Sequence, residues 1–249
     1  MPRRPRPSVT VILPARDEAA TVGPIVACIR RDLAGVVDEV LVVDDASTDA
    51  TAEVARAAGA RVVATDGGGK GEAMWRGVWE AEGELLVYCD ADVRNFTAGF
   101  VVGLLRPLLD DGDVALVKGY YRRSYEGRAG EGGRVTELMA RPLLNVLFPA
   151  LAHIRQPLGG ECAAPRRVLE RVPFVQGWGV DIGLVLDVAA RWGAGAVAQA
   201  DLGERVHRNR PLAELAPQAE AVLRTVLARA GLHTPVDELP PIVRPRASA

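Results

Sequence analysis

Glu39-Val40-Leu41-Val42-Val43-Asp44-Asp45-Ala46-Ser47-Thr48-Asp49 fits a strand, an acidic loop and a helix start into one short stretch. Val40 to Val43 is apolar without interruption, as in a strand buried on both faces of a parallel sheet. Ser47, Thr48 and Asp49 offer N-caps for an Ala-rich helix running to Ala58. The same unit recurs on either side. Val9 to Leu13 reads as a strand, followed by a helix from Ala19 to Leu33 with Val22, Ile25, Val26 and Ile29 on one face. Arg61 to Ala64 is a third strand, Glu72 to Glu82 a helix and Leu85 to Cys89 a fourth strand. Thr97 to Leu109 and Val114 to Val117 add a helix and a strand. Repeated βα units of this size predict an α/β fold, a Rossmann-like, mostly parallel sheet with helices on both faces.

The second half has a different texture. Gly127 to Gly133 is a glycine-rich loop, Val135 to Leu147 a helix, and Gln156 to Ala164 a loop or sheet-edge segment. Val180 to Trp192 reads as a helix, Ala196 to Leu202 as a strand and Pro211 to Ala230 as a long helix. Residues 1–8 are expected to be a flexible basic arm and 233–249 a free, flexible proline-rich tail. Residues 9–118 and 119–232 are expected to be two halves of one unit.

The chain has 249 residues, 49% of them hydrophobic, and balances 30 Lys+Arg against 32 Asp+Glu for a net charge of −2. That balance excludes a protein that coats nucleic acid through a basic surplus. Three scattered cysteines, Cys28, Cys89 and Cys162, argue against a disulfide framework and for a reducing cytoplasm. No run reaches the length of a membrane span, so no integral membrane segment is expected.

In an open parallel sheet, ligands bind beyond the carboxyl ends of the strands. Those loops carry Pro14-Ala15-Arg16-Asp17-Glu18, then Asp44 to Asp49, then Gly67-Gly68-Gly69-Lys70-Gly71, then Asp90-Ala91-Asp92. Carboxylates, a lysine and a glycine run on one edge suit a metal-bridged diphosphate. Alone, a D-x-D triplet is more often a turn or helix cap than a metal site. After a buried fourth strand it points to a metal. The glycine run is not a P-loop, because Gly71 and not Ser or Thr follows Lys70. With no G-x-G-x-x-G opening the first helix, a dinucleotide-binding dehydrogenase is disfavoured as well.

Pro14-Ala15, Asp44 to Asp49 and Asp90-Ala91-Asp92 together resemble the GT-A glycosyltransferases that use nucleotide-diphosphate sugars. Lys70-Gly71-Glu72-Ala73, Gly132 to Leu138, Arg141-Pro142-Leu143-Leu144, Gln156-Pro157-Leu158 and His207 to Leu212 narrow the resemblance to the glucosyl-3-phosphoglycerate synthase family. It implies a GT-A fold whose second half binds the acceptor. It further implies a homodimer and transfer of glucose from UDP-glucose to the 2-hydroxyl of D-3-phosphoglycerate with retention of configuration. Pro14, Ala15, Glu18, Asp45, Lys70, Asp90 and Ala91 would line the donor site. Asp92 and His207 would hold Mg²⁺ or Mn²⁺, and Gly133, Arg134, Thr136 and Asn209 would bind the acceptor. Gly133-Arg134 at a helix start suits an anion on physical grounds too.

Asp181, Leu158 and Arg205 are the catalytic candidates. Arg205 and Lys70 would assist the departing diphosphate. Asp181 and Glu161 are the available carboxylate nucleophiles, and same-face attack helped by the Leu158-Gly159 backbone is the preferred route. Asp45, Gly159 and Asp181 depart from the family pattern, which bears on the donor. The alternatives are mannosyl transfer from GDP-mannose, another acceptor, a nucleotide-sugar binder without turnover, and a nucleotidyltransferase.

Overall fold

The computed structural model describes residues 6–125, 128–129, 133–206 and 212–243. In chain order the strands are β1 (Val9–Ala15), β2 (Glu39–Asp45), β3 (Arg61–Thr65), β4 (Leu85–Tyr88), β5 (Leu116–Tyr125), β6 (Arg128–Ala129), β7 (Cys162–Pro165), β8 (Phe174–Val175), β9 (Val197–Arg205) and β10 (Glu238–Leu239). The helices are α1 (Val22–Asp32), α2 (Thr51–Ala57), α3 (Lys70–Glu80), α4 (Ala98–Asp110), α5 (Arg141–Leu147), α6 (Arg166–Leu169), α7 (Val180–Trp192) and α8 (Leu212–Arg229).

The main sheet runs β3-β2-β1-β4-β7-β5-β6, with β9 beside β5. The β1–β2, β1–β4, β2–β3 and β5–β9 pairs are parallel, as the βα repeats predict. The inner strands are apolar on both faces because each face meets its own core. Val11, Leu13, Val40, Val42 and Val87 point to one side with α1 and α4. Ile12, Leu41, Val43, Leu86 and Tyr88 point to the other, with Met74 of α3, Leu144 of α5 and the apolar residues of α7.

Several expectations require correction. The segment read as a loop or edge contains β7, which lies inside the sheet, antiparallel to both β4 and β5. Its Ala163 and Ala164 are fully buried, so small residues serve here where neighbouring strands leave little room, and they gave no β-branched signal. The strand read as ending at Val117 continues to Tyr125, carrying Lys118 into the interior. The helix read from Val135 to Leu147 opens as a π-helical turn, Thr136–Ala140, before α5. Pro142 has no N–H, and in a regular α-helix its ring would strike the Leu138 carbonyl; the wider turn relieves that clash. Helix α2 begins at Thr51, with Ala50 and none of the three expected residues at its cap. Asp49 instead accepts from the backbone N–H of Thr51 at 2.9 Å and of Ala19 at 3.1 Å.

The stretch read as a free tail is docked through Val243. Strand β10 pairs with β8, Gln176 N donates to the Asp237 carbonyl at 2.9 Å and Ile242 N to the Glu170 carbonyl at 2.9 Å. Arg229 holds Glu238 at 2.5 Å, and Ile242 is buried. Within the arm, Arg6 pairs with Asp38 at 2.8 Å. Ile242→Ala should therefore cost about 2 kcal/mol and lower Tm by roughly 4–8 °C. Val243→Ala, at 84% exposure, should stay within about 0.5 kcal/mol. Equal Tm values by calorimetry would mean that the segment contributes nothing.

Candidate active site

Strand direction decides which residues meet. The carboxyl ends of β1, β2, β4, β5 and β9 share one edge of the sheet, and antiparallel β7 starts from that edge. Ala15 at the end of β1 is buried beside Asp44, its register partner in β2, and Pro14 is half-buried next to it. Asp17, in the left-handed region, accepts from Thr48 N at 2.7 Å and Thr48 Oγ1 at 3.1 Å. Glu18 N donates to Thr51 Oγ1 at 2.8 Å. These bonds tie the first loop to the second. Asp45 is buried and accepts from Thr65 Oγ1 at 2.7 Å and Gly69 N at 3.3 Å, so it also shapes the turn that presents Lys70. Its neighbour Asp44 keeps a buried Oδ1 with no hydrogen-bond donor among the described residues.

Lys70 opens α3, two residues before the start read from the sequence. A Cβ at Gly71 would lie 2.0 Å from the Val175 carbonyl oxygen, so only glycine lets α3 start this close to β8. The Lys70 ammonium lies 2.8 Å from Asp181 Oδ2 and 3.3 Å from Asp90 Oδ1. Burial alone would lower its pKa, but the carboxylates of Asp181 and Asp90 outweigh it and raise the value well above that of a free lysine.

Arg205, at the end of β9, is the hub. One terminal nitrogen reaches Asp90 Oδ2 at 2.9 Å and Asp92 Oδ1 at 2.6 Å. The other reaches Glu161 Oε1 at 2.9 Å and the Tyr121 hydroxyl at 2.6 Å. Glu161 is wholly buried. Asp181 sits in the first turn of α7, and its Oδ1 lies 3.6 Å from the buried ammonium of Lys118. Ala91 is buried between its two acidic neighbours. Among the described residues, the cations Lys70, Lys118 and Arg205 thus face the carboxylates Asp90, Asp92, Glu161 and Asp181.

The residues expected to bind the acceptor are placed apart. Gly133, with φ of 83°, precedes the helical start at half-buried Arg134, and Thr136 is buried at the head of the π turn. The adjoining turn borders a cleft of about 460 Å³ lined by Tyr120, Tyr121, Arg122, Arg141, Arg155 and Gln156, with Glu137 and Asp201 completing it. Arg155 stacks on the Tyr120 ring at 4.5 Å. Tyr121 and Gln156 join this cleft to the charge cluster, since Gln156 Nε2 donates to the Tyr121 carbonyl at 2.5 Å. Leu158 is half-buried in the loop between them. His207 and Asn209 lie outside the described residues. Among the described residues, no group of three His, Cys, Asp or Glu side chains is disposed to hold a metal. Sequence reasoning missed Lys118, Tyr121 and Arg155, for which the available signal was a lysine directly after an apolar strand; it placed Asp44 in the acidic loop at this edge but gave it no role of its own.

Burial raises the Asp90 pKa, but Lys70 and Arg205 override it and hold the carboxyl well below the ordinary carboxylate range. Asp90 therefore binds its proton more weakly in the folded than in the unfolded chain. Its contribution to stability is present above the unfolded value near pH 4 and is lost as pH falls below it. Asp90→Asn should flatten the acid limb of a circular-dichroism titration below about pH 4; an unchanged limb would show that this pairing does not contribute.

Residues 10–174 match the model of the family described as glycosyl transferase family 2. The glucosyl-3-phosphoglycerate synthase of Mycolicibacterium paratuberculosis is 47% identical over 240 residues, covering 90% of this chain and 73% of the relative. That of Petrotoga mobilis is 36% identical over 236 residues, covering 89% and 73%. The crystal structure of the Mycobacterium tuberculosis synthase with Mn²⁺, UDP and glucosyl-3-phosphoglycerate superposes with a TM-score of 0.86 at 40% identity, covering 95% of this chain and 91% of that one. The structure of that enzyme with Mg²⁺ and UDP also gives 0.86. With its GT-A sheet and an acidic, lysine-bearing edge, the chain belongs to glycosyl transferase family 2 and, within it, to the glucosyl-3-phosphoglycerate synthases.

Proposed function

We propose that the protein transfers glucose from UDP-glucose to the 2-hydroxyl of D-3-phosphoglycerate, with retention, using Mg²⁺ or Mn²⁺. The observation that carries this reading is the charge cluster at the carboxyl edge of the sheet, with Asp90 and Asp92 held side by side on Arg205 and joined to an arginine-lined cleft. Solved relatives that hold Mn²⁺ with UDP-glucose and phosphoglyceric acid support the same substrates.

A hard divalent cation fits the donor set. Asp92 spends one oxygen on Arg205, and its other has no protein donor among the described residues. Val206, the last described residue before His207, is tied beside this turn: its carbonyl accepts from Arg94 N at 3.1 Å and its N–H donates to Asn95 Oδ1 at 2.8 Å. Asp92 and His207 are the proposed ligands. Such a cation, when bound, offsets the charge growing on a departing diphosphate. Arg205 is assigned to orienting Asp90 and Asp92 and not to the diphosphate, since its terminal nitrogens already serve protein acceptors. Lys70 remains the assisting cation, because its ammonium has three protons and, among the described residues, only two protein acceptors, Asp181 and Asp90. Pro14, Ala15, Glu18, Asp45 and Ala91 complete the donor site, and the orphaned Asp44 oxygen suits the N–H of a nucleobase.

Residues 9–118 would hold the donor and 119–232 the acceptor. Gly133, Arg134, Thr136 and Asn209 are proposed to bind phosphoglycerate, with the arginine cleft drawing in its two anionic groups. Asp181 and Glu161 are both buried and ion-paired, which weakens them as nucleophiles. Same-face attack beside the Leu158-Gly159 backbone follows, with a leaving phosphate oxygen taking the acceptor proton. We place the enzyme in the cytoplasm as a homodimer. No helix among the described residues is long and apolar enough to cross a membrane, and exposed Leu138 and Val146 are available to a second copy.

Nucleotide release from UDP-glucose, GDP-glucose and GDP-mannose, with Mg²⁺ and with or without D-3-phosphoglycerate, tests the reaction. Acceptor-dependent release of UDP is expected, falling on the order of 10²–10³-fold in Asp92→Ala. Release of GDP alone would shift the donor to a GDP-sugar, and release from no donor would overturn the reaction. Intact-protein mass spectrometry after UDP-glucose and Mn²⁺ without acceptor should show no hexose adduct. An adduct mapped to Asp181 or Glu161 would replace same-face attack with double displacement.

A further inference from the structure

Lys118 is 1% exposed, near the start of β5, where a charged side chain persists only if its partners are built in. Its ammonium donates to the Gly159 carbonyl and faces Asp181 Oδ1 at 3.6 Å. The next residue, Gly119, donates its N–H to the Glu161 carbonyl at 2.8 Å, so β5 grips the segment 159–161 at both ends. Between those points a Cβ at Gly160 would lie 2.0 Å from Asp90 Oδ1, so this turn presses its bare backbone against the donor-side carboxylate. On the other side Gly159 N donates to the Gln156 carbonyl at 3.1 Å, and Gln156 lines the arginine cleft. The turn therefore forms the partition between donor carboxylates and cleft, and Lys118 is the charged group that fixes it.

We infer that Lys118 is a positioning residue for the transfer step, holding the Leu158-Gly159-Gly160 turn in register with Asp90 so that the acceptor hydroxyl approaches the donor sugar correctly. This rests on the reaction proposed above. Lys118 touches no bound group itself; it acts through the Gly159 carbonyl. Asp181 keeps Lys70 as a partner at 2.8 Å when Lys118 is removed, so the donor side is left standing.

Lys118→Met in the full chain should lower kcat with D-3-phosphoglycerate on the order of 10- to 100-fold while the Kd for UDP with Mn²⁺ changes by less than about threefold. A merely structural lysine would weaken both together or neither. Gly159→Ala shifts the same turn without touching a charge, because its methyl would sit 3.2 Å from the Gly119 carbonyl oxygen. It should give the same split, and it decides the matter if Lys118→Met fails to fold. Wild-type kcat in either folded variant, or loss of UDP binding in parallel with kcat, would overturn the assignment. A wild-type enzyme that binds UDP but releases none with the acceptor would overturn the proposed reaction and this assignment with it.

Discussion

An alternating run of charge, Lys118–Asp181–Lys70–Asp90–Arg205–Glu161, is the constraint around which the carboxyl edge of the sheet is organised. Each member taken alone would be costly to bury, because desolvation of a single ion exceeds what one imperfect partner returns. Linked in sequence, every interior charge has opposite charge on both sides. The run draws on β5, α7, α3, the turn after β4, β9 and the approach to β7, so it exists only when the whole sheet is assembled. Folding and construction of the site are one event at this edge.

The glycines follow from the same constraint. Gly71 lets α3 start against β8, which brings Lys70 within reach of Asp181, and Gly160 lets the backbone touch Asp90. Each is a place where charge must approach backbone more closely than a side chain permits.

The first half of the fold was legible because its strands are buried on both faces and its helices carry one-sided apolar stripes, two patterns with distinct periods. Lys70, Asp90 and Asp92 were legible as residues on a predictable edge. The second half hid itself for physical reasons. Strand β7 is Cys162-Ala163-Ala164-Pro165, with no residue type that favours a strand. Strand β5 loses its apolar run at Lys118 because burial there is supported by Asp181 and the Gly159 carbonyl, which are distant in sequence. The docking of 233–243 rests on backbone pairing, the Arg229–Glu238 ion pair and one isoleucine among prolines, a combination that reads as a tail. Arg205 was visible as a candidate, but its role as a hub required knowing that Asp90, Asp92, Glu161 and Tyr121 converge on it.

The position of β7 also governs how the chain reaches this state. Strand β4 carries the Asp90-Ala91-Asp92 turn, yet one of its two neighbours in the sheet is a strand some seventy residues later. Until residues 162–165 have been synthesised, β4 presents a row of unpaired N–H and C=O groups, and β5 cannot join the sheet through β7. Pairing at long sequence separation closes large loops before it is rewarded, which slows the search. A nascent chain that pauses on the ribosome before this point would hold Asp90 and Asp92 on an open sheet edge, a form prone to misassemble with its neighbours.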